Sequence, residues 1–238
     1  HCNSKLASYH FVSSQDAARR VMALGEPEEA IHVIGSPELD FHSRPSGVTL
    51  DEVKNRYAIP FDNYGIVVFH PVTSEADSMG KQAEALFAAL KDSERNFVLI
   101  APNNDPGSAS ILKVIATLPK NRFRMLPSMR FSHFSELMRN AAAMIGNSSA
   151  GVREAPFLGI PSLDVGTRQT NRAQADSICH VTAFDRGAID TFLSQDWNKR
   201  YDRHNAFGEG SAAERFGAVL QAPSFWAANL QKAFKDSE

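Results

Sequence analysis

Three short segments set polar or titratable side chains directly after apolar runs, where a strand hands over to a loop. The first is Ile145-Gly146-Asn147-Ser148-Ser149-Ala150-Gly151-Val152-Arg153-Glu154-Ala155-Pro156. Small residues after a strand make a tight turn, and a helix beginning near Gly151 directs its first N–H groups and the positive end of its dipole at the turn. That is a setting for a phosphate. Ser148 and Ser149 add hydroxyl donors, and Glu154 places a carboxylate near the first turn, within reach of ribose hydroxyls. Plain N-capping by Ser148 or Ser149 fits the same spacing, and spacing alone does not separate the two.

The second segment is Val67-Val68-Phe69-His70-Pro71-Val72-Thr73-Ser74-Glu75. His70 falls at the carboxyl end of a buried strand, where open α/β sheets bind ligands, and Pro71 ends the strand there. An imidazole in that place can donate to a phosphate or exchange a proton near neutral pH. A packing histidine is the competing reading. The third is Gly166-Thr167-Arg168-Gln169-Thr170-Asn171-Arg172, again just past a strand. Its two guanidinium groups suit a diphosphate or a sugar. Arg168, nearest the strand, is the better candidate, with Arg172 as its competitor and solvated surface arginines as the alternative. At a fourth place, Met129-Arg130-Phe131-Ser132-His133-Phe134, an aromatic ring opens a helix; Phe131 could stack on a base or serve the core.

Other chemistries lack their residues. No HxxxH, CxxC or carboxylate triad occurs, so no metal site is expected. No GxGxxG follows a strand, which argues against a nicotinamide, and no cofactor is expected. No GxSxG elbow is present.

The elements that must position these residues alternate between short apolar runs and helical patterns, the mark of a parallel sheet wrapped by helices. Strands are expected at Ile31–Ile34, Gly65–Phe69, Asn96–Ala101, Ala143–Ile145, Pro161–Val165 and Ser177–Val181, apolar throughout as befits strands buried on both faces. Helices are expected at Leu50–Tyr57, Ala76–Asp92, Ser108–Thr117, Phe131–Asn140, Gly151–Leu158, Gly187–Ser194, Ser211–Gln221 and Ser224–Phe234. The segment from Ser43 to Asp62 opens with Arg44-Pro45-Ser46-Gly47 and reads as the entry to a second domain. The expected division is therefore residues 1–42 as the end of one Rossmann-like domain, 43–222 as a second, and 223–238 as a C-terminal helix returning toward the first. The opening residues have no initiator Met and read as mid-domain sequence, so further residues are expected upstream.

The 238 residues are 43% hydrophobic and 22% charged, with 25 basic against 27 acidic side chains. Disorder is excluded by that balance, and nothing in it points to a nucleic-acid groove. No apolar run approaches the ~18 residues of a membrane span. Two cysteines make no disulfide framework, and free thiols in a reducing cytoplasm are expected.

In order, FHPVTSE, GNSSAGVREAP and GIPSLDVGTRQTNR resemble the hydrolysing UDP-N-acetylglucosamine 2-epimerases, in particular the branch that forms N-acetylmannosamine for sialic-acid-type sugars. The upstream stretch SKLASYHFVSSQDAARRVMALGEPEEAIHVIGSPELD is similar to that family as well, so the resemblance covers nearly the whole chain. It implies an α/β, GT-B-type architecture of two Rossmann-like domains, the first truncated here, with UDP-N-acetylglucosamine between them. It implies a catalytic role for His70, diphosphate contacts from Ser148 and Ser149 with Gly151 beside them, and ribose contacts from Glu154. Arg168 would lie near the nucleotide and Phe131 near uracil. The partners implied are UDP and UDP-N-acetylglucosamine, with a homo-oligomer open and no nucleic acid or membrane. The family's C2 chemistry draws on carboxylates of the first domain that this sequence starts too late to contain, so the chain alone is expected to be inactive. A GT-B glycosyltransferase and a non-catalytic nucleotide-sugar binding module remain the alternatives.

Overall fold

A computed structural model of the chain describes residues 1–227, 231 and 232. It divides into two compact units, one made of residues 1–45 and 205–238 and the other of 46–204.

The first unit opens with α1 (Cys2–Leu6), β1 (His10–Val12), α2 (Gln15–Ala23), β2 (Ile31–Val33) and α3 (Pro37–His42). β1 and β2 pair in parallel with His10 opposite Ile31. The Ser14 hydroxyl caps α2 by accepting from Ala17 N–H at 3.1 Å, a local reason for the helix to start there. Glu26 is buried at 1% exposure. It is held by Lys232 Nζ at 2.5 Å, Lys5 Nζ at 2.8 Å and His10 Nε2 at 3.0 Å. The bonds from Lys232 and Lys5 outweigh burial and bring its carboxyl from the ordinary 4.5 down to about 2. A carboxyl with a depressed folded pKa stabilises the fold above its unfolded value and loses that contribution as pH falls through the folded one. The melting temperature is therefore expected to fall between about pH 4.5 and 2. Glu26→Gln should flatten that limb; an identical acid limb in the variant would show that the cluster contributes nothing.

The second unit contains α4 (Leu50–Tyr57), β3 (Gly65–Val68), α5 (Met79–Asp92), β4 (Phe97–Ile100), α6 (Ser108–Ile115), β5 (Phe123–Leu126), α7 (Phe131–Arg139), β6 (Ala143–Gly146), α8 (Ser149–Phe157), β7 (Ser162–Val165), β8 (Ile178–Val181) and α9 (Arg186–Gln195). Its six strands are all parallel, in the order β5-β4-β3-β6-β7-β8. Side chains alternate across the sheet and both faces are covered. Val67, Leu99, Ile145, Leu163 and Val165 pack with α5, α6 and α9. Ile66, Val68, Val98, Leu126 and Met144 pack with α4, α7 and α8. Thr49 and Glu52 form a reciprocal capping box at the start of α4.

Two strands fall outside the sequence expectation. β5 carries Arg124 and the exposed Met125 between buried ends, because an edge strand has less to bury. β1 has only three residues and begins with a histidine. The helix expected from Gly151 starts two residues earlier, at Ser149.

After His204 the chain re-enters the first unit with α10 (Ala212–Gln221) and α11 (Pro223–Trp226). Asp40 accepts from the N–H groups of Ala212 and Ala213 at 2.7 Å each, capping α10. The Ser36 N–H donates to Phe207 O at 2.7 Å. A Cβ on Gly208 would stand 2.9 Å from Gly35 Cα, so the two backbones approach as closely as glycine permits. These ties differ from the expected division, which put 205–222 with the sheet that precedes it. The amphipathic pattern of α10 announces a partner without saying which. Of the expected C-terminal helix the structure describes a turn at Pro223–Trp226, and 228–230 and 233–238 lie outside the described residues.

Candidate functional site

The strand order sets the place for a site. From β3 the chain runs outward to β4 and β5, then returns to lay β6 on the other side of β3. The connections leaving β3 and β6 go to opposite faces of the sheet, so their carboxyl ends part and leave a crevice, the topological switch point of an open α/β sheet. His70 follows β3 there, and Asn147 and Ser148 follow β6.

Gly146 makes the turn possible. Its φ of +123° is a conformation L side chains avoid, and a Cβ on it would stand 2.1 Å from Val68 O on the neighbouring strand. Ser148 is the N-cap of α8, accepting from Ala150 N–H at 3.3 Å. The capping alternative therefore holds for its lone pair, while a hydroxyl that accepts still has its own proton to donate. The Ser149 hydroxyl accepts from Arg153 Nη2 at 3.2 Å. Gly151 is buried with its N–H on Ser148 O at 3.0 Å, and a Cβ there would meet Ser162 Oγ at 2.8 Å. Its glycine is thus explained by the approach of α8 to β7. Glu154 is buried at 6% exposure farther along the same helix.

Arg168 lies past β7 and donates from Nη1 to Asn147 O at 3.3 Å. Arg172 is exposed farther along that loop, beyond Asn171 at φ +60°. Phe131 is 39% exposed at the start of α7. α7 follows β5, two strands away from β3, so Phe131 shares the carboxyl end of the sheet without adjoining the switch point.

The His70 ring is half-buried. Its Nδ1 accepts from the Asn103 N–H at 3.1 Å, so the neutral ring carries its proton on Nε2. Burial first, and then the Arg168 charge, hold its pKa below the ordinary 6.5, against an opposing pull from Asp105. At neutral pH this is an uncharged imidazole with a single donor.

Several residues that bind the site together have no motif of their own. The Asn147 side chain accepts from His70 N–H at 2.7 Å and donates to His70 O at 2.8 Å. Gln169, fully buried, donates from Nε2 to Asn147 O at 2.8 Å. The Thr167 hydroxyl donates to Glu75, and Gln82 Nε2 donates to the other oxygen of that carboxylate at 2.8 Å. The segment after β3 is thus tied to the loop after β7. Asn147, Gln169 and Glu75 all stand inside segments singled out for other residues, and only the pairing of distant strands shows what they do. Among the described residues, no group of three or more His, Cys, Asp or Glu is placed to hold a metal, and no helix is long and apolar enough to cross a membrane.

Residues 1–221 match the sequence profile of the UDP-N-acetylglucosamine 2-epimerase family. The chain is 41% identical over 239 aligned positions to a UDP-N-acetylglucosamine 2-epimerase of Neisseria meningitidis serogroup B, covering 99% of this chain and 63% of that protein. It is 31% identical to a hydrolysing UDP-N,N'-diacetylbacillosamine 2-epimerase of Legionella pneumophila, covering 93% of this chain and 59% of that one. The fold is shared with the crystal structure of a Neisseria meningitidis UDP-GlcNAc 2-epimerase bound to UDP-GlcNAc, at a TM-score of 0.74 and 16% identity over 91% of this chain and 62% of that one. The chain therefore spans less than two thirds of the length of each.

Proposed function

Because the chain belongs to the UDP-N-acetylglucosamine 2-epimerase family, we propose that it carries the UDP-binding half of a hydrolysing 2-epimerase, which converts UDP-N-acetylglucosamine and water to N-acetylmannosamine and UDP. The observation that carries this reading is the gathering, at one crevice, of the α8 N-terminus with its serines, the Arg168 guanidinium and a neutral His70. The sequence FHPVTSE favours this reading over a glycosyltransferase. The Legionella pneumophila relative at 31% identity, named as hydrolysing, supports hydrolysis, while the relative at 41% is named simply as a 2-epimerase.

In this reading the C2 proton is removed, the C1–O bond breaks and UDP leaves with the bonding electrons. Water then adds across the resulting C1=C2 bond, its hydroxyl to C1 and a proton to the opposite face of C2. The developing negative charge is on the departing diphosphate, where preorganised donors lower the barrier most. Ser148, Ser149 and the first turn of α8 would hold it, with Arg168 alongside. Glu154 would bind ribose hydroxyls, Phe131 would lie near the base, and Arg172 would supplement Arg168. His70 Nε2–H would donate to the leaving oxygen. The carboxylates for the C2 proton are assigned to no residue of this chain.

Calorimetry with UDP on this chain tests the binding half, and saturable binding is the expected result. No heat at millimolar UDP with a folded sample would sink it. For the reaction, a protein carrying this chain should release free N-acetylmannosamine from UDP-N-acetylglucosamine without an acceptor. UDP-N-acetylmannosamine as the only product would mean epimerisation without hydrolysis, and turnover that waits for an acceptor would mean a glycosyltransferase.

Glu154→Gln gives a sharper check. A ribose contact is made equally in the ground and transition states, so its loss should raise KM and the UDP Kd together and leave kcat nearly unchanged. About 1.5–3 kcal/mol for a charged hydrogen bond corresponds to roughly a 10- to 150-fold loss of affinity. A fall in kcat at constant KM would place Glu154 in the chemistry instead.

A further inference from the structure

The β3–β6 ladder ends at the pair Val68 and Gly146, and Asn147 N–H makes one last bond to Val68 O at 3.1 Å. Beyond that point the strands part, and Pro71 has no N–H to offer. The main chain of His70 would lose both its partners there. The Asn147 amide supplies them, accepting from His70 N–H at 2.7 Å and donating to His70 O at 2.8 Å across 77 residues of sequence. It works as a spare peptide group, adding one rung to the ladder while its own main chain turns into α8. Asn147 is itself 1% exposed, and its main-chain carbonyl collects Gln169 Nε2 and Arg168 Nη1. One residue therefore fixes three segments of the crevice.

We infer that Asn147 is the positioning residue for His70, holding that backbone so that Nδ1 meets the Asn103 N–H and Nε2 is the ring's donating atom. The inference rests on the reading that His70 serves the departing diphosphate. The groups that bear on the ring come from every side of the crevice. Asn103 N–H and Asp105 follow β4, Asn147 follows β6, and Arg168 follows β7. If the His70 backbone is released, the ring leaves the Asn103 N–H and the Nδ1–H tautomer becomes populated beside the Nε2–H form. The titration midpoint then returns toward that of a free imidazole.

The test uses the ¹⁵N-labelled chain and long-range ¹⁵N–¹H spectra, with the His70 ring identified by its loss in His70→Ala. In the wild type the expected result is an Nε2–H ring titrating below 6.5. In Asn147→Ala, both tautomers should appear and the midpoint should rise toward the ordinary 6.5. The His180 ring, on β8, should not change, which separates a local release from general loosening. The UDP Kd should weaken by less than about fivefold, since Arg168 and the start of α8 remain. If the alanine variant does not fold, Asn147→Ser, with less volume lost, is read in the same way. A wild-type ring protonated on Nδ1, or an unchanged tautomer and midpoint in the folded variant, would overturn the role. The ring signature without any UDP binding would instead remove the nucleotide reading and leave the positioning role standing.

Discussion

His70→Ala is expected to lower kcat by about 100-fold or more in a protein that carries this chain and turns over UDP-N-acetylglucosamine, the scale seen when one preorganised donor is removed. The UDP Kd should change only a few-fold. The asymmetry follows from where charge grows. A neutral Nε2–H makes an ordinary hydrogen bond to a bound diphosphate, and a stronger one to the oxygen that takes the electrons as C1–O breaks. On the proposed reading the serines and the helix terminus would hold the phosphates in both states, so binding should survive. The pH dependence carries the same signature. Protonating Nδ1 would turn an acceptor into a donor facing the Asn103 N–H, so the arrangement exists only above the folded pKa. That pKa is held below the ordinary 6.5 by burial and then by Arg168. Activity that depends on the neutral ring should persist through neutral pH and fall on the acid side of 6.5. The stability linked to this ring has the same sign, present above the unfolded value and lost as pH falls through the folded one. Measuring kcat, UDP Kd and melting temperature on one His70→Ala sample decides the matter. A lowered melting temperature with unchanged kcat would make His70 a packing residue.

Gly146→Ala should be the most damaging single substitution in the sheet. The new methyl would stand 2.1 Å from Val68 O, and φ would have to remain near +123°. Neither demand can be eased alone, because the atom it meets is backbone in a central strand. Backbone strain of about 1–3 kcal/mol and an overpacking cost of similar size add here. Together they cost about 2–6 kcal/mol, so at roughly 2–4 °C per kcal/mol for a domain of this size the melting temperature should drop by about 4–24 °C. The damage should also reach binding, since moving β6 away from β3 displaces Asn147 and the start of α8 together. Thermal melts and UDP titration of the variant check both. A variant as stable as wild type, with UDP affinity intact, would mean the turn tolerates a side chain and that the close approach is not what selects glycine.

What the sequence by itself determined is the set of parts and the end of the sheet at which they gather. A strand buried on both faces is largely apolar, so β3, β4 and β6 stand out, while β7 alternates apolar side chains with the buried Ser162 and Asp164. The polar residues that follow them, His70, Ser148 and Arg168, mark the carboxyl edge. The Gly146-Asn147-Ser148-Ser149 turn was legible because its small residues answer to local sterics and to helix capping. Only the tertiary structure decided that β6 lies against β3, and so that His70 and Asn147 share an amide pair across the crevice. It also decided that α10 caps on Asp40 and belongs with the first unit, and that Gly151 is small because Ser162 lies beneath it. An amphipathic pattern states how much surface an element must bury and on which face. The partner that buries it, and the register at which two backbones meet, are chosen by the packing of the whole chain, which no local stretch encodes.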